Sequence, residues 1–326
     1  MVVNMNIMYR ISLFLGLIII IAHSLFASTL VCDTQNTQLW LTPKDGVTPI
    51  IQAINDAKSR IQIVMYTLTY RKIIYALEDA EKRGVYVNII IDKSPYQAKN
   101  VNQYAMEKLT QAGVKVRYSN PEFRFTHQKT MIIDQKTAYI LTGNFTYTGF
   151  KKQRNFYIKL TNPTLVQQIE EVFQADWNRF PANFEKTALV WSPDDKGKQI
   201  MALIKDSEHS LDLYSPQISS KTILNLLIMK AKAGIDVKIL VAPSGEHPYL
   251  RPLYQALRKA GAQVCYMQYP RIHGKIILSD DKIAYLGSNN LTGTSLFHNR
   301  ELGVMLCNPN VVHELNNAFN QDFNCK

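Results

Sequence analysis

The chain has 326 residues, 46% of them apolar, which excludes a disordered polymer and leaves room for one large domain or two medium ones. Lysine and arginine number 37 against 26 acids, a net charge of +11. That surplus suits an anionic partner, whether nucleic acid, acidic lipid headgroups or a phosphate-bearing substrate, and does not choose among them.

At the N-terminus Arg10 precedes the apolar run Ile11–Ala22, followed by His23-Ser24 and the small residues Ala27 and Ser28. A short apolar core with a positive flank and small residues beyond it reads as a secretory signal peptide over residues 1–28. The expectation is a secreted or periplasmic protein; the competing reading is an uncleaved membrane anchor over Ile11–Val31. Cysteines stand at Cys32, Cys265, Cys307 and Cys325, an even set that suits disulfides. Cys32 and Cys325, near the two ends, are the candidate pair. No Cys-x-x-Cys occurs, so neither a zinc site nor a redox motif is expected.

The chain then repeats itself. Ile61–Thr67 is an apolar strand signal, Arg71–Arg83 a helix with Ile73, Ile74, Leu77 and Ala80 on one face, Gly84 its stop, and Val85–Ile91 a strand. About 150 residues on, Leu211–Tyr214, Lys221–Ala233, Gly234 and Ile235–Val241 follow the same order. A second unit, Ala105–Ala112, Gly113 and Val114–Tyr118, recurs as Leu253–Ala260, Gly261 and Ala262–Tyr266. Strands alternating with helices predict an α/β fold of two similar halves, 33–180 and 190–326, each with a largely parallel central sheet flanked by helices. The boundary falls near Pro181–Lys198, where proline, aspartate and lysine replace the apolar pattern.

Each half next delivers one unusual motif. The first is His127-Gln128-Lys129, then Asp134, then Thr142-Gly143-Asn144; the second is His273-Gly274-Lys275, then Asp280, then Ser288-Asn289-Asn290. The spacings are identical. Residues two apart share one face of a strand, so each histidine and lysine point the same way. Asp134 and Asp280 open Asp-Gln-Lys and Asp-Asp-Lys between apolar runs, which favours a hairpin turn in which aspartate bonds backbone amides over a chemical role. The remaining groups suit phosphoryl transfer. A neutral histidine can attack phosphorus and carry a covalent intermediate, while a protonated one donates to the leaving oxygen. Lys129, Lys275, Asn144 and Asn290 can hold the non-bridging oxygens. No cofactor and no metal is expected, because each motif offers one imidazole beside a repelling ammonium.

At these residues the sequence resembles the phospholipase D superfamily, whose signature is His-x-Lys, four residues, Asp, and then Gly-Ser-x-Asn. His273–Asn290 matches it fully; the first copy departs at Leu141, which stands where the signature has glycine. The stretch from Tyr66 through Arg83-Gly84-Val85 to Asp92 is similar to the branch of small bacterial endonucleases and cardiolipin-synthase-like enzymes. The resemblance implies that the halves pack about a pseudo-twofold axis and share one site in a monomer, with a phosphohistidine intermediate. It also implies an acidic residue beyond each asparagine that orients a histidine. Glu301 stands eleven residues after Asn290, whereas Asn155 stands eleven after Asn144. Taken within each half, this pairs His273 with Glu301 as the better acid and His127 with Asn155 as the nucleophile.

Three functions fit. The first is a phospholipase D hydrolysing a phosphatidyl ester to phosphatidate, with a phospholipid headgroup as partner and an anionic membrane surface beside it. The second is a nuclease acting on a nucleic-acid phosphodiester. The third is a non-catalytic phosphate- or membrane-binding module, against which the completeness of both motifs speaks. Aromatic residues near the motifs, among them Tyr147, Tyr269 and Phe297, suit stacked bases or acyl chains, and for most such residues a place in the core is the simpler expectation.

Overall fold

The computed structural model describes residues 30–35, 37–243 and 245–324. The first half contains β1 (Gln38–Leu41), α1 (Thr48–Asp56), β2 (Arg60–Met65), α2 (Arg71–Lys82), β3 (Tyr86–Ile91), α3 (Gln103–Gln111), β4 (Lys115–Tyr118), β5 (Lys129–Ile133), β6 (Thr137–Leu141), α4 (Tyr147–Lys151), β7 (Gln153–Arg154), β8 (Phe156–Leu160) and α5 (Pro163–Asn178). The second contains β9 (Leu189–Ser192), α6 (Lys198–Asp206), β10 (Ser210–Tyr214), α7 (Lys221–Lys232), β11 (Asp236–Val241), α8 (Arg251–Lys259), β12 (Gln263–Tyr266), β13 (Arg271–Ile272), β14 (Ile276–Ser279), β15 (Ile283–Gly287), α9 (Gly293–Phe297), β16 (Glu301–Leu306) and α10 (Pro309–Asp322).

The two similar α/β halves expected from the repeat are present. One sheet has the order β1-β8-β6-β5-β2-β3-β4 and the other β9-β16-β15-β14-β10-β11-β12, so equivalent strands occupy equivalent places. Strands joined through helices, β2-β3-β4 and β10-β11-β12, run parallel, as a crossover requires. Strands joined by tight turns, β5-β6 and β14-β15, run antiparallel. The helices end where glycine takes a left-handed backbone, with φ +86° at Gly84 and +88° at Gly234.

Burial follows the strand period. Along β2, Ile61, Ile63 and Met65 face a core roofed by α1, α2 and α3, while Val64 points the other way. That other core is shared by both sheets and by α5 and α10, and in it the Phe156 and Tyr214 rings meet at 4.9 Å. The apolar seam between the sheets holds the two motifs in one body.

The N-terminal segment runs beside β16: Asp33 bridges Leu306, and the Cys307 amide donates to the Asp33 carbonyl at 2.9 Å. This places Cys32 against Cys307, to which it is disulfide-bonded with a Cα separation of 5.7 Å. The expected Cys32–Cys325 pair is therefore corrected; Cys325 itself lies outside the described residues.

Asp134 and Asp280 open three-residue hairpin turns whose first two residues are left-handed: φ is 52° and 57° at Asp134 and Gln135, 54° and 55° at Asp280 and Asp281. Their carboxylates bond another segment instead of their own turn. Asp134 accepts from the amides of Lys58, Ser59 and Arg60 at 2.7–2.9 Å, and Asp280 accepts likewise from Glu208, His209 and Ser210. Each aspartate thereby pins the chain entering the first of the three parallel strands, β2 or β10. Burial pushes the Asp134 carboxyl up, but the three amides outweigh it and hold it below its ordinary value. A lowered folded-state pKa contributes stability above the unfolded value, near 3.9, and loses it as pH falls through the folded value. Asp134→Ala is expected to cost about 2 kcal/mol at pH 7, read by urea unfolding, and distinctly less at pH 3. Turnover per folded molecule should be kept; a stable Asp134→Ala protein without turnover would give the carboxylate a chemical role.

Candidate active site

The site is assembled by pairing between halves. β13 pairs in parallel with β7, setting Ile272 against Arg154, and Thr126 bridges Arg300 in the equivalent place. The His273 amide donates to the Arg154 carbonyl at 3.1 Å, and the His127 amide to the Arg300 carbonyl at 2.9 Å. Each histidine thus lies alongside the chain of the opposite half. Its ring meets that chain's next residue: His127 Nδ1 is 2.9 Å from Glu301 Oε2, and His273 Nδ1 is 2.8 Å from Asn155 Oδ1. The expected pairs His273–Glu301 and His127–Asn155 are corrected, because partners are exchanged across the pseudo-twofold.

Each partner is held in one orientation. Glu301 is fully buried, and its other oxygen accepts from Ser295 Oγ at 2.5 Å and Asn299 Nδ2 at 3.2 Å. Asn155 Nδ2 donates to the Gly149 carbonyl at 3.0 Å, and its Oδ1 also accepts from Thr142 Oγ1 at 3.1 Å. That oxygen is therefore the atom facing His273. Both rings carry their proton at Nδ1 and leave Nε2 for the cleft.

Behind the rings stand the lysines. Lys129 Nζ donates to the His127 carbonyl. Lys275 Nζ donates to the His273 carbonyl at 2.6 Å and the Thr142 carbonyl at 3.3 Å. Burial lowers Lys129 to about 7 against the pull of Glu301, and burial with Lys129 beside it puts Lys275 well below its ordinary value. His127 falls to about 4, through burial and Lys129, opposed by Glu301. His273 falls further, through burial and then Lys275, Lys129 and His127. For Glu301, burial raises the carboxyl, but the adjoining His127 and Lys129 hold it below its ordinary value. Burial and mutual repulsion thus disfavour the charged forms of four basic groups, and an arriving anion, which relieves that repulsion, is strongly favoured here. Asn144 and Asn290, at equivalent positions, each keep a buried amide oxygen without a hydrogen-bond partner among the described residues.

The cleft above these groups has a volume of about 620 Å³ and is lined by Tyr66, Phe125, His127, Tyr249, His273 and Asn290. The structure brings His127, Lys129, His273, Lys275, Asn290 and Glu301 together and leaves Asp134 and Asp280 at the opposite ends of β5 and β14; Asn144 holds the position equivalent to Asn290 in the repeat. Gly274 is required where it stands: a Cβ there would come within 2.8 Å of the Phe156 ring.

Sequence reasoning missed four contributors. Tyr66 packs edge-on against His127 at 4.6 Å and lies under Lys129 Nζ at 5.1 Å. Asp92 accepts from the Thr126 amide at 2.7 Å and so fixes the residue before His127. Ser295 and Asn299 clamp Glu301. Tyr66 and Asp92 directly follow β2 and β3, at the carboxyl ends of parallel strands where ligands of open α/β sheets bind, a signal that was readable.

The family model described as "Cardiolipin synthase, PLD-like domain" matches twice, over residues 50–177 and 200–323. The chain is similar to cardiolipin synthase B of Salmonella typhi, 24% identical over 305 residues that cover 79% of this chain and 73% of that protein. It is also similar to cardiolipin synthase 1 of Bacillus anthracis, 26% identical over 349 residues that cover 89% and 67%. The crystal structure of phosphatidylserine synthase from Haemophilus influenzae shares the fold, with a TM-score of 0.68 at 13% identity, covering 90% of this chain and 87% of that one.

These relatives correct the expectation of a secreted or periplasmic protein, since they are named for building a phospholipid. The predicted signal peptide, residues 1–28, lies outside the described residues, among which no helix is long and apolar enough to cross a membrane. With two matched copies spanning most of its length and one shared site of paired histidines and lysines, the chain belongs to the phospholipase D superfamily and is equipped for that superfamily's phosphodiester chemistry.

Proposed function

We propose that the protein transfers a phosphatidyl group from a phospholipid donor to a hydroxyl acceptor through a phosphohistidine. The observation that carries this is the pair of imidazoles, each bonded at Nδ1 across the halves and lining one cleft. His127 Nε2 attacks phosphorus and the bond to the leaving oxygen breaks. His273 gives its Nε2 proton to that oxygen. An acceptor hydroxyl then attacks the phosphorus, the P–N bond breaks, and His273 takes the acceptor's proton. Lys129, Lys275, Asn144 and Asn290 hold the non-bridging oxygens.

With the partners exchanged, an amide no longer marks the nucleophile, and the two partners divide the labour the other way. On bonding phosphorus the His127 ring becomes cationic, and the Glu301 carboxylate stabilises that charge where an amide would not. His273 has only the Asn155 amide, so once protonated it gives its proton up readily. The incoming phosphate charge offsets the two lysines and so favours protonation of His273.

Water as acceptor makes the reaction a hydrolysis; an alcohol makes it a transfer. The named activity of the relatives supports an alcohol. The test is to incubate the purified protein with phosphatidylglycerol vesicles, with and without chelator, and to separate phosphatidate from diphosphatidylglycerol by mass. Turnover is expected to survive chelation, because lysines supply the positive charge. Cleavage of single-stranded DNA with no lipid product would overturn the reading.

A further inference from the structure

The central cleft opens at both ends into side concavities of similar size, about 640 and 660 Å³. The two are related by the internal repeat. Glu122, Phe123, Thr294, Phe297 and His298 line one; Gln268, Tyr269, Thr148, Lys151 and Lys152 occupy the equivalent positions in the other. Duplication built them alike, yet their chemistry has diverged. The first balances Arg124 against Glu122. The second gathers Lys151, Lys152 and Arg271, and among the described residues no carboxylate lines it; Glu246, outside the lining, lies 2.6 Å from Arg271. Among the described residues no carboxylate ion-pairs with Lys151 or Lys152. Two exposed rings, Tyr147 at 55% and Tyr269 at 80%, flank the lysines. Gln153 and Arg271 line both this concavity and the catalytic cleft, so the two are continuous.

A phosphodiester that brought only its scissile phosphate would have no use for a second cationic chamber. We propose that the Lys151–Lys152–Arg271 chamber is a second anion subsite, which holds the phosphate of an acceptor lipid while its headgroup hydroxyl reaches the phosphorus on His127. The inference rests on the transfer reading above and assigns the acceptor to one end of the cleft. Tyr147 and Tyr269 are amphipathic rings suited to the level of lipid headgroups at the mouth of such a chamber.

The test uses the double variant Lys151→Gln/Lys152→Gln, whose side chains are exposed. Hydrolysis of bis(4-nitrophenyl) phosphate, which carries one phosphate, should stay within about twofold of wild type. Transfer to phosphatidylglycerol should fall at least roughly tenfold relative to transfer to free glycerol, since charge-assisted contacts to a phosphate are lost. Equal loss with both acceptors, or no loss, overturns the subsite and leaves the transfer reading standing. So does a variant that weakens cleavage of single-stranded DNA while sparing lipid transfer, because the chamber then follows a strand. A wild-type protein that turns over no phosphatidyl donor defeats the transfer reading and the subsite with it.

Discussion

His127→Ala is expected to abolish turnover, by about 10⁴-fold or more, with every substrate, because under the proposed mechanism His127 forms the covalent bond to phosphorus. His273→Ala should lose as much with a lipid, whose leaving alkoxide needs a proton, but recover turnover with a nitrophenyl ester, whose leaving group does not. Phosphate trapped on the protein should map to His127 by mass spectrometry. The exchanged partners add a third arm. Glu301→Gln removes the charge opposite the phosphohistidine while keeping the length of the side chain, so it should slow formation of the intermediate by about 10²-fold even with the nitrophenyl ester. Asn155→Ala should instead behave like His273→Ala, its defect relieved by the better leaving group. Phosphate found on His273, or a Glu301→Gln defect that the nitrophenyl ester relieves, would reverse the two roles without touching the reaction class.

Arg300→Met should produce the largest loss of stability, about 3–5 kcal/mol, or on the order of 10 °C in Tm. The Arg300 side chain is 4% exposed; it bonds Asp176 at 2.9 Å and Asp194 at 2.7 Å and stacks on the Phe123 ring at 4.2 Å. Its carbonyl also receives the His127 and Gln128 amides, so the same residue that closes the ion cluster seats the nucleophile. Methionine keeps much of the volume but leaves Asp176 buried without its cation. Burial already raises the Asp176 carboxyl, with Arg300 opposing, and removing the arginine lets it rise further. A carboxylate raised on folding favours the protonated fold, so stability is kept at low pH and lost as pH rises through the shifted value. The deficit measured by urea unfolding should therefore be smaller at pH 5 than at pH 8, and Asp176→Asn in the same background should restore part of it. A deficit independent of pH would mean that packing on Phe123, and not charge, holds the cluster together.

Much of this protein is written in short spacings. Glycines that end the helices at Gly84 and Gly234, the apolar residues of β2 and β10, and the left-handed turn backbone at Asp134 and Asp280 are local constraints, each satisfied within a few residues. For that reason the repeat, the strand and helix order and the residues that meet at the cleft could be read from the sequence. What lies beyond was decided by contact between halves. Spacing located Glu301 and Asn155 relative to their own asparagines, yet it carries no information on which histidine each would touch. That depends on Ile272 lying against Arg154 and Thr126 against Arg300, pairings between segments more than a hundred residues apart. The same holds for Cys32, which meets Cys307 because the N-terminal segment runs along β16, and for Asp134, whose carboxylate bonds amides at the start of β2 and not in its own turn. Local sequence constrains the backbone angles and the face a side chain takes; which distant chain that face meets is set by burying the apolar seam between the two sheets, a choice made only in the folded protein.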